Sequence, residues 1–426
     1  MIKNKKKFFF LELNEFNYEF LKSKSDELNL KNLKNIFKLN HRKFKCDKEI
    51  EHFGLDPWTQ WVNIHTGKRA DEHKLLQIGM SDQLSYKQYW DILAEKGYKV
   101  GVWGSMNIKN NRNKNNLIFF PDPWNIHEKP TPSFLNLFFK LPQYLLKNFL
   151  SLKLLKLLKY TFLFFVYLIL SGKILLLIYR SPFLIRELLK GHFNKYYLYP
   201  IFDWINAVIF ISYKKKYKLD ASVLFINLVA TLQHRIWDDP ERIKENSFSL
   251  YVLDDIIKKI FLSLEKDEEV IICNGLSQEK LEKNHYHYRQ IDPERFFKII
   301  GLRNFKFEQN MTNDGFLFFD KIEDLENSLK VLENLKINGE KLAYCERIDS
   351  SKGYCLFYMI SYYKEILTDD SINVFDVQFK PFDLLKLDAI RTGQHIPVTN
   401  ILSNINFNNN GEYNYDIFSH IIKYCD

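Results

Sequence analysis

The chain has no closely spaced pair of cysteines, no glycine-rich phosphate loop, no internal repeat and no uncharged apolar run of bilayer length. Each absence removes a class of protein. Cysteines at 46, 273, 345, 355 and 425 lack the close spacing of zinc-binding pairs, and their odd number argues against a disulfide framework. Reduced, inert thiols and a cytoplasmic location follow as the expectation. Without a phosphate loop or a nucleic-acid module, a P-loop nucleotide enzyme is excluded and no nucleic-acid partner is expected. The opening MIKNKKKFFFLELNEF starts like a secretory leader. Glu12, Asn14 and Glu15 soon break its apolar run, and no small-residue cleavage site follows. Residues 7–13 are therefore expected to form a buried first strand.

What the chain does have is bulk. Its 426 residues are 46% hydrophobic, with 37 Phe and 24 Tyr, which is enough for one large α/β domain with insertions and excludes global disorder. The formal net charge of +9 is modest for this length, so where it lies matters more than its size. Short apolar strands are expected at Phe8–Leu13, Lys99–Trp103, Ser222–Leu228 and Glu269–Cys273, with helical patterns between them. This alternation predicts an α/β fold: a mainly parallel central sheet flanked by helices. Polar residues follow three of the strands: Asn14, Gly104-Ser105 and Asn274. In parallel sheets the carboxyl ends of strands are where ligands bind.

Residues 131–200 differ. Leucine and phenylalanine dominate, and Lys153, Lys156 and Lys159 make a basic stripe. The uncharged run Tyr160–Gly172 is too short to span a bilayer, where about 20 residues are needed; counting on across Lys173 to Tyr179 gives 20, which leaves a span or a hairpin dipping into the membrane open. A basic, apolar helical insertion lying on an anionic membrane surface is expected, the alternative being a helical cap packed on the domain. The chain then divides into a first part of the core (1–130), a helical insertion (131–215) and a second part of the core (216–426). A peripheral position at the inner face of the membrane is the matching location.

Five segments carry candidate chemistry. Asp56–His73, DPWTQWVNIHTGKRADEH, combines two tryptophans, Thr66-Gly67 and His73. A hydroxyl near a helix start, such as Thr59, can be activated as a nucleophile, with Asp56 and His65 beside it as candidate catalytic groups. Trp58, Trp61, Asn14, Asn274 and Ser105 are candidate substrate-binding residues. Ser222–Asp239 places His234 and Trp237 just after a strand, and Arg391–Pro397 contains Gly393-Gln394-His395. The fourth is EVIICNGLSQ, an apolar strand ending in Asn274-Gly275, and the fifth is the N-terminal LELNE. Beyond the helical segment after the first motif, FFPDPW puts Asp122 and Trp124 in a loop.

Taken in their order along the chain, the segments resemble the alkaline-phosphatase superfamily, in its phosphodiesterase and nucleotide-pyrophosphatase branch. The matching landmarks are Trp61, Thr66-Gly67, His73, His234, Trp237 and Gly393-x-His395. The resemblance implies an alkaline-phosphatase-like fold and a site for metal-assisted ester chemistry. It also implies metal ligands that this chain lacks. The expected acids read Asn14, Ala230 and Asn274, and one expected His reads Gly275. His234 and His395 remain, so a single divalent cation (zinc or manganese), completed by Asp238 or Asp239, is the most the resemblance supports. The implied function is a divergent hydrolase or transferase of phosphate or sulfate esters. Its partner would be a phosphorylated small molecule or a lipid-linked glycan. The alternative is an inactive pseudoenzyme that binds such a compound.

Overall fold

Phe8–Leu13 becomes the middle of the molecule's largest sheet because almost every residue in it is apolar and both of its faces are covered. The computed structural model describes residues 5–47, 55–148, 152–190, 195–237, 239–310, 313–348, 353–405 and 411–426. These form two compact units, one of Met1–Glu279 with His395–Asp426, the other of Lys280–Gln394.

The first unit begins with β1 (Lys7–Leu13), α1 (Tyr18–Glu27), α2 (Lys31–Ile36), β2 (Asn40–Lys45), α3 (Pro57–Thr66) and α4 (Ala70–His73). It continues with α5 (Tyr89–Glu95), β3 (Val100–Trp103) and β4 (Asn116–Phe120). The helical insertion follows as α6 (Asn136–Lys147), α7 (Leu154–Leu170), α8 (Lys173–Arg180), α9 (Pro182–Leu189) and α10 (Leu198–Tyr217). The core then resumes with β5 (Ala221–Ile226), α11 (Leu228–Ile236), α12 (Ile243–Phe261) and β6 (Glu268–Cys273). The chain leaves along β7 (Ser277–Gln290) and returns along its partner strand β16 (Leu385–Ile396).

Between them the second unit holds α13 (Pro293–Ile299), β8 (Phe305–Gln309), β9 (Asp314–Phe319), α14 (Ile322–Glu333), β10 (Leu335–Ile337) and β11 (Glu340–Lys341). It ends with β12 (Ala343–Ile348), β13 (Tyr354–Ile360), β14 (Ile372–Val374), β15 (Val377–Phe379) and α15 (Pro381–Leu384). This unit has a separate core around Phe297, Leu317, Leu356 and Tyr358. The sequence pattern does not set it apart. The chain closes with β17 (Val398–Ser403) and α16 (Asp416–Cys425) in the first unit.

The main sheet has the order β2-β17-β6-β1-β5-β3-β4. β6, β1, β5, β3 and β4 run parallel, and β17 is antiparallel to both of its neighbours. The four strands expected from the sequence are thus four adjacent strands of one parallel sheet. The third ends at Ile226 rather than Leu228. Asp203 of α10 accepts the N–H groups of Asn227 and Leu228 at 2.8 and 2.7 Å and so opens α11 there.

Alternation along β1 sends its side chains to two different layers. Phe9, Leu11 and Leu13 enter a core with residues of α10, α11 and α12 such as Phe210, Val229 and Leu253. Phe10 meets Trp61 of α3 and Tyr89 of α5 on the other face. The insertion contributes Phe138, Phe164 and Tyr167 to the first of these layers, so its inner side is a packed cap.

Trp61 ties the two central strand ends together. Its indole Nε1 donates to Asn14 Oδ1 at 2.8 Å, and its ring lies against Gly275. A Cβ at Gly275 would stand 2.7 Å from that ring, and the residue has φ +71°. Both constraints require glycine. Gly275→Ala should therefore cost about 2–5 kcal/mol in urea unfolding, combining left-handed strain with overpacking. Gly172→Ala has φ +68° with nothing within 4 Å and should lose only the strain part, about 1–2 kcal/mol. Equal losses at the two positions would refute the packing assignment.

Candidate metal centre

The site begins where β1 runs out. Asn14 N still donates to Ile226 O at 2.9 Å, and the next residue, Glu15, turns into the left-handed region at φ +59°. A non-glycine residue persists there only when its surroundings over-determine it. Those surroundings are explicit. Glu15 N donates to Asn274 O at 2.9 Å, and Glu15 O accepts from Gln233 Nε2 at 2.9 Å. Its Oε1 accepts from Asn14 Nδ2 at 2.8 Å and its Oε2 from Gln278 Nε2 at 2.5 Å.

Two histidines complete the arrangement. His234 lies on α11, directly after β5, and His395 lies at the end of β16, directly before β17. Glu15 Oε2 is 2.8 Å from His234 Nε2 and 2.9 Å from His395 Nε2, and the two Nε2 atoms are 3.2 Å apart. His395 Nδ1 stands 2.6 Å from Leu55 O. A carbonyl can only accept, so Nδ1 carries a hydrogen; the protonated ring then donates from Nε2 to Glu15, and the neutral ring turns the Nε2 lone pair to where a cation would bind. The side chain of Glu15 is 5% exposed, while those of His234 and His395 are 19% and 17% exposed. The carboxylate forms the floor and the imidazoles the mouth.

Burial alone would raise the Glu15 pKa. His395 and His234 outweigh it and hold the carboxyl well below the usual carboxylate range. One carboxylate and two imidazoles thus present an anionic floor and two nitrogen donors, with the three ligand atoms all within 4.8 Å of one another. Tetrahedral zinc ligands at about 2.1 Å from the ion stand ~3.4 Å apart, so a small opening of the triad accommodates a cation. The donor set suits zinc or manganese. The location, at the carboxyl ends of parallel β1 and β5, is where such sheets bind ligands.

Among the described residues, the third member of the triad is neither of the acids expected beside the histidines. Asp239 accepts the Glu241 N–H at 2.9 Å and caps a short turn, and Asp238 lies outside the described residues. Glu15 is the acid present. Ala230, the position where the resemblance expects an acid, sits one turn before His234 on α11, and Gln278 Nε2 lies 3.4 Å from its carbonyl. The carboxylate beside the histidines is Glu15, two residues past the end of β1. The available signal was an acid directly following a buried strand, one residue past Asn14.

The other expected site residues are spread around this triad. Asn14 is wholly buried, and its amide joins Trp61, Glu15 and Asn227. Asn274 is also wholly buried. It donates to Phe16 O at 2.8 Å and accepts from Asn400 N at 2.7 Å, lacing β6 to its neighbours. Asp56 takes the N-cap position of α3, its carbonyl accepting from Thr59 N and Gln60 N. The Thr59 hydroxyl donates to Leu75 O at 3.3 Å. Trp58 Nε1 donates to Leu76 O at 2.9 Å.

His65 pairs with Glu12 at 2.7 Å, both wholly buried, beneath Trp61 and Trp90, so the structure gives it a partner other than the triad. The Ser105 hydroxyl is buried and meets no partner among the described residues. His73 accepts the Leu75 N–H at 3.0 Å and lies 2.7 Å from Asn63, which fastens the loop after α4 to α3.

No family model and no curated protein matches the chain. Solved structures do. Murine ectonucleotide pyrophosphatase/phosphodiesterase 5 is similar at a TM-score of 0.49 and 9% identity, over 98% of this chain and 95% of that one. The human protein of the same name is similar at 0.48 and 9%, over 98% and 94%. Phosphonoacetate hydrolase from Sinorhizobium meliloti, in complex with phosphonoformate, is similar at 0.47 and 8%, over 99% and 96%.

Asp122 shows how the loops beside the strand ends are held. Its carboxyl accepts from the N–H groups of Asn107, Trp124 and Asn125, and burial pushes its pKa up to about 7. The folded-state value lies above the unfolded value of about 3.9, so folding favours the protonated form. That contribution is fully present below about pH 4 and is lost as pH rises through about 7. The melting temperature of the wild type should fall between pH 5 and pH 8 more steeply than that of Asp122→Asn. Parallel profiles would contradict the buried, protonated assignment.

Proposed function

We propose that this chain is a single-cation hydrolase of phosphate or sulfate esters, with Glu15, His234 and His395 as the protein ligands. The observation that carries the reading is the convergence of three ligand atoms at the carboxyl end of the parallel sheet. The substrate class is supported by the ordered sequence resemblance to the phosphodiesterase branch. A phosphorylated, lipid-linked glycan suits the basic and apolar insertion. When bound, a zinc or manganese ion supplies a Lewis acid that polarises the ester and offsets developing negative charge.

The chain's own residues prepare that chemistry. Asn14 occupies Oε1 of Glu15 and so leaves Oε2 turned toward the histidines. Gln278 steadies Oε2 itself. Leu55 O fixes the ring of His395, and Asp203 fixes the start of the helix that carries His234. Such supporting contacts orient ligands and typically matter 10–100-fold for metal affinity. Asn14 and Asn274 lie where a second cation would need acids, and both are committed to tying strands together. With the Thr59 hydroxyl donated to Leu75 O, attack by water is favoured over attack by a side chain. The same bond favours a second reading, a pseudoenzyme that binds its phosphorylated ligand without cleaving it.

Elemental analysis combined with turnover of bis(p-nitrophenyl) phosphate and p-nitrophenyl sulfate tests the proposal. The wild type should carry about one zinc or manganese per chain. Glu15→Gln and His395→Ala should lose the cation and the activity together, and Asn14→Ala should weaken cation affinity about 10–100-fold. Thr59→Val should retain turnover. A stoichiometric cation without turnover of either ester would transfer the assignment to the pseudoenzyme. Absence of any cation after loading with zinc and manganese would remove the metal centre.

A further inference from the structure

The charge of the chain is not spread over it. Ten of its 61 basic residues and one of its 52 acidic residues fall in 131–200, so that segment accounts for the whole +9 and the remainder is neutral. The one acid, Glu187, is buried against Arg186 and Lys190 at 3.0 and 2.8 Å. Among the described residues, the outer surface of the insertion therefore offers cations and no free carboxylate.

The same surface is apolar. Along α7, Leu155, Leu158, Phe162, Phe165 and Ile169 are exposed and recur every three or four residues, which places them on one stripe. Phe164, Tyr167 and Leu168 point the other way into the core. In a water-facing helix the exposed stripe would be polar; here it is inverted. Leu175, Ile178 and Tyr179 on α8 and Ile185 and Leu189 on α9 are exposed as well. Leu155 and Leu189 are each 82% exposed and Tyr179 is 83% exposed, values that cost free energy in water. Lys153, Lys156 and Lys159 are exposed just before and in the first turns of α7, and Arg186 and Lys190 in and just after α9.

Among the described residues no single helix is long and apolar enough to cross a membrane; α7 and α8 together have the length and composition but are bent by 87° where they meet. Seventeen residues of α7 reach only ~25 Å, against a hydrocarbon core of about 30 Å. A second copy of the chain would set +9 against +9, which disfavours self-association through this face.

We infer that the outer surface of α7–α9 is a docking surface for an anionic lipid bilayer, lying in the headgroup region with its leucines and phenylalanines immersed and its lysines and arginines at the phosphates. The inference goes beyond the proposed reaction and does not depend on it.

Flotation of the full chain with vesicles tests it, one set of phosphatidylcholine alone and one containing about 30 mol% phosphatidylglycerol. The wild type should partition at least about tenfold more strongly into the anionic vesicles, and added salt should weaken that preference. Leu155→Ser/Phe162→Ser/Ile169→Ser should lower partitioning into both sets about tenfold or more. Lys153→Gln/Lys156→Gln/Lys159→Gln should remove the anionic preference, about tenfold to 100-fold, and leave the weak neutral binding. All six positions are exposed, so both variants should keep the wild-type melting temperature. Equal flotation of the wild type and the serine variant would overturn the inference. So would a wild type that stays with the unbound protein and forms an oligomer that the serine variant dissolves.

Discussion

One carboxylate organises the centre of this molecule. Glu15 is buried in a backbone conformation that a glutamate does not adopt unaided, and its charge is kept by two imidazoles. Its main chain is clasped by Asn274 and Gln233, and its side chain by Asn14 and Gln278. These partners come from β1, α11, the turn after β6 and the start of β7. Through them, four segments of the first unit are referenced to a single side chain. Asn14 passes the constraint on to Trp61, and Trp61 passes it to Gly275 by contact. The aromatic segment that first drew notice in the sequence thus braces the site from behind.

The parts of the fold that were legible in the sequence are those written in apolar runs. Strands buried on both faces of a parallel sheet read as almost continuous hydrophobics, and KFFFLEL, VGVW, ASVLFI and EEVIIC are of this kind. The second unit was less legible because, apart from the apolar β9 (DGFLFF) and β13 (YCLFYMI), most of its strands are short or mostly polar. SQEKLEKNHYHYRQ of β7 is mostly polar and gains its strand identity from a partner more than 90 residues away. Pairing at that distance leaves little trace in local composition.

The triad was half legible. His234 and His395 stand in recognisable surroundings, one after a strand and one in Gly-x-His. Glu15 did not stand out, because nothing local announces a left-handed glutamate. Its nitrogen and oxygen partners are Asn274 and Gln233, far along the chain. The resemblance pointed to an acid at 230 on α11, where this chain has Ala230; the carboxylate beside the two histidines is Glu15, two residues past β1.

The distance along the chain between the members of that triad bears on how the protein is made. Glu15 and His395 are 380 residues apart, with the whole second unit inserted before His395. During synthesis β1, β5 and β6 emerge and can pair long before residue 395 leaves the ribosome. Glu15 must then wait, already buried beside His234, for its second imidazole. Such a contact is costly to close in chain entropy and comes late in folding. The strained corner at Glu15 is therefore completed only when the last strand, β17, docks against β6. Premature termination anywhere in the second unit leaves a sheet with its central strands in place and its charged corner unpaired.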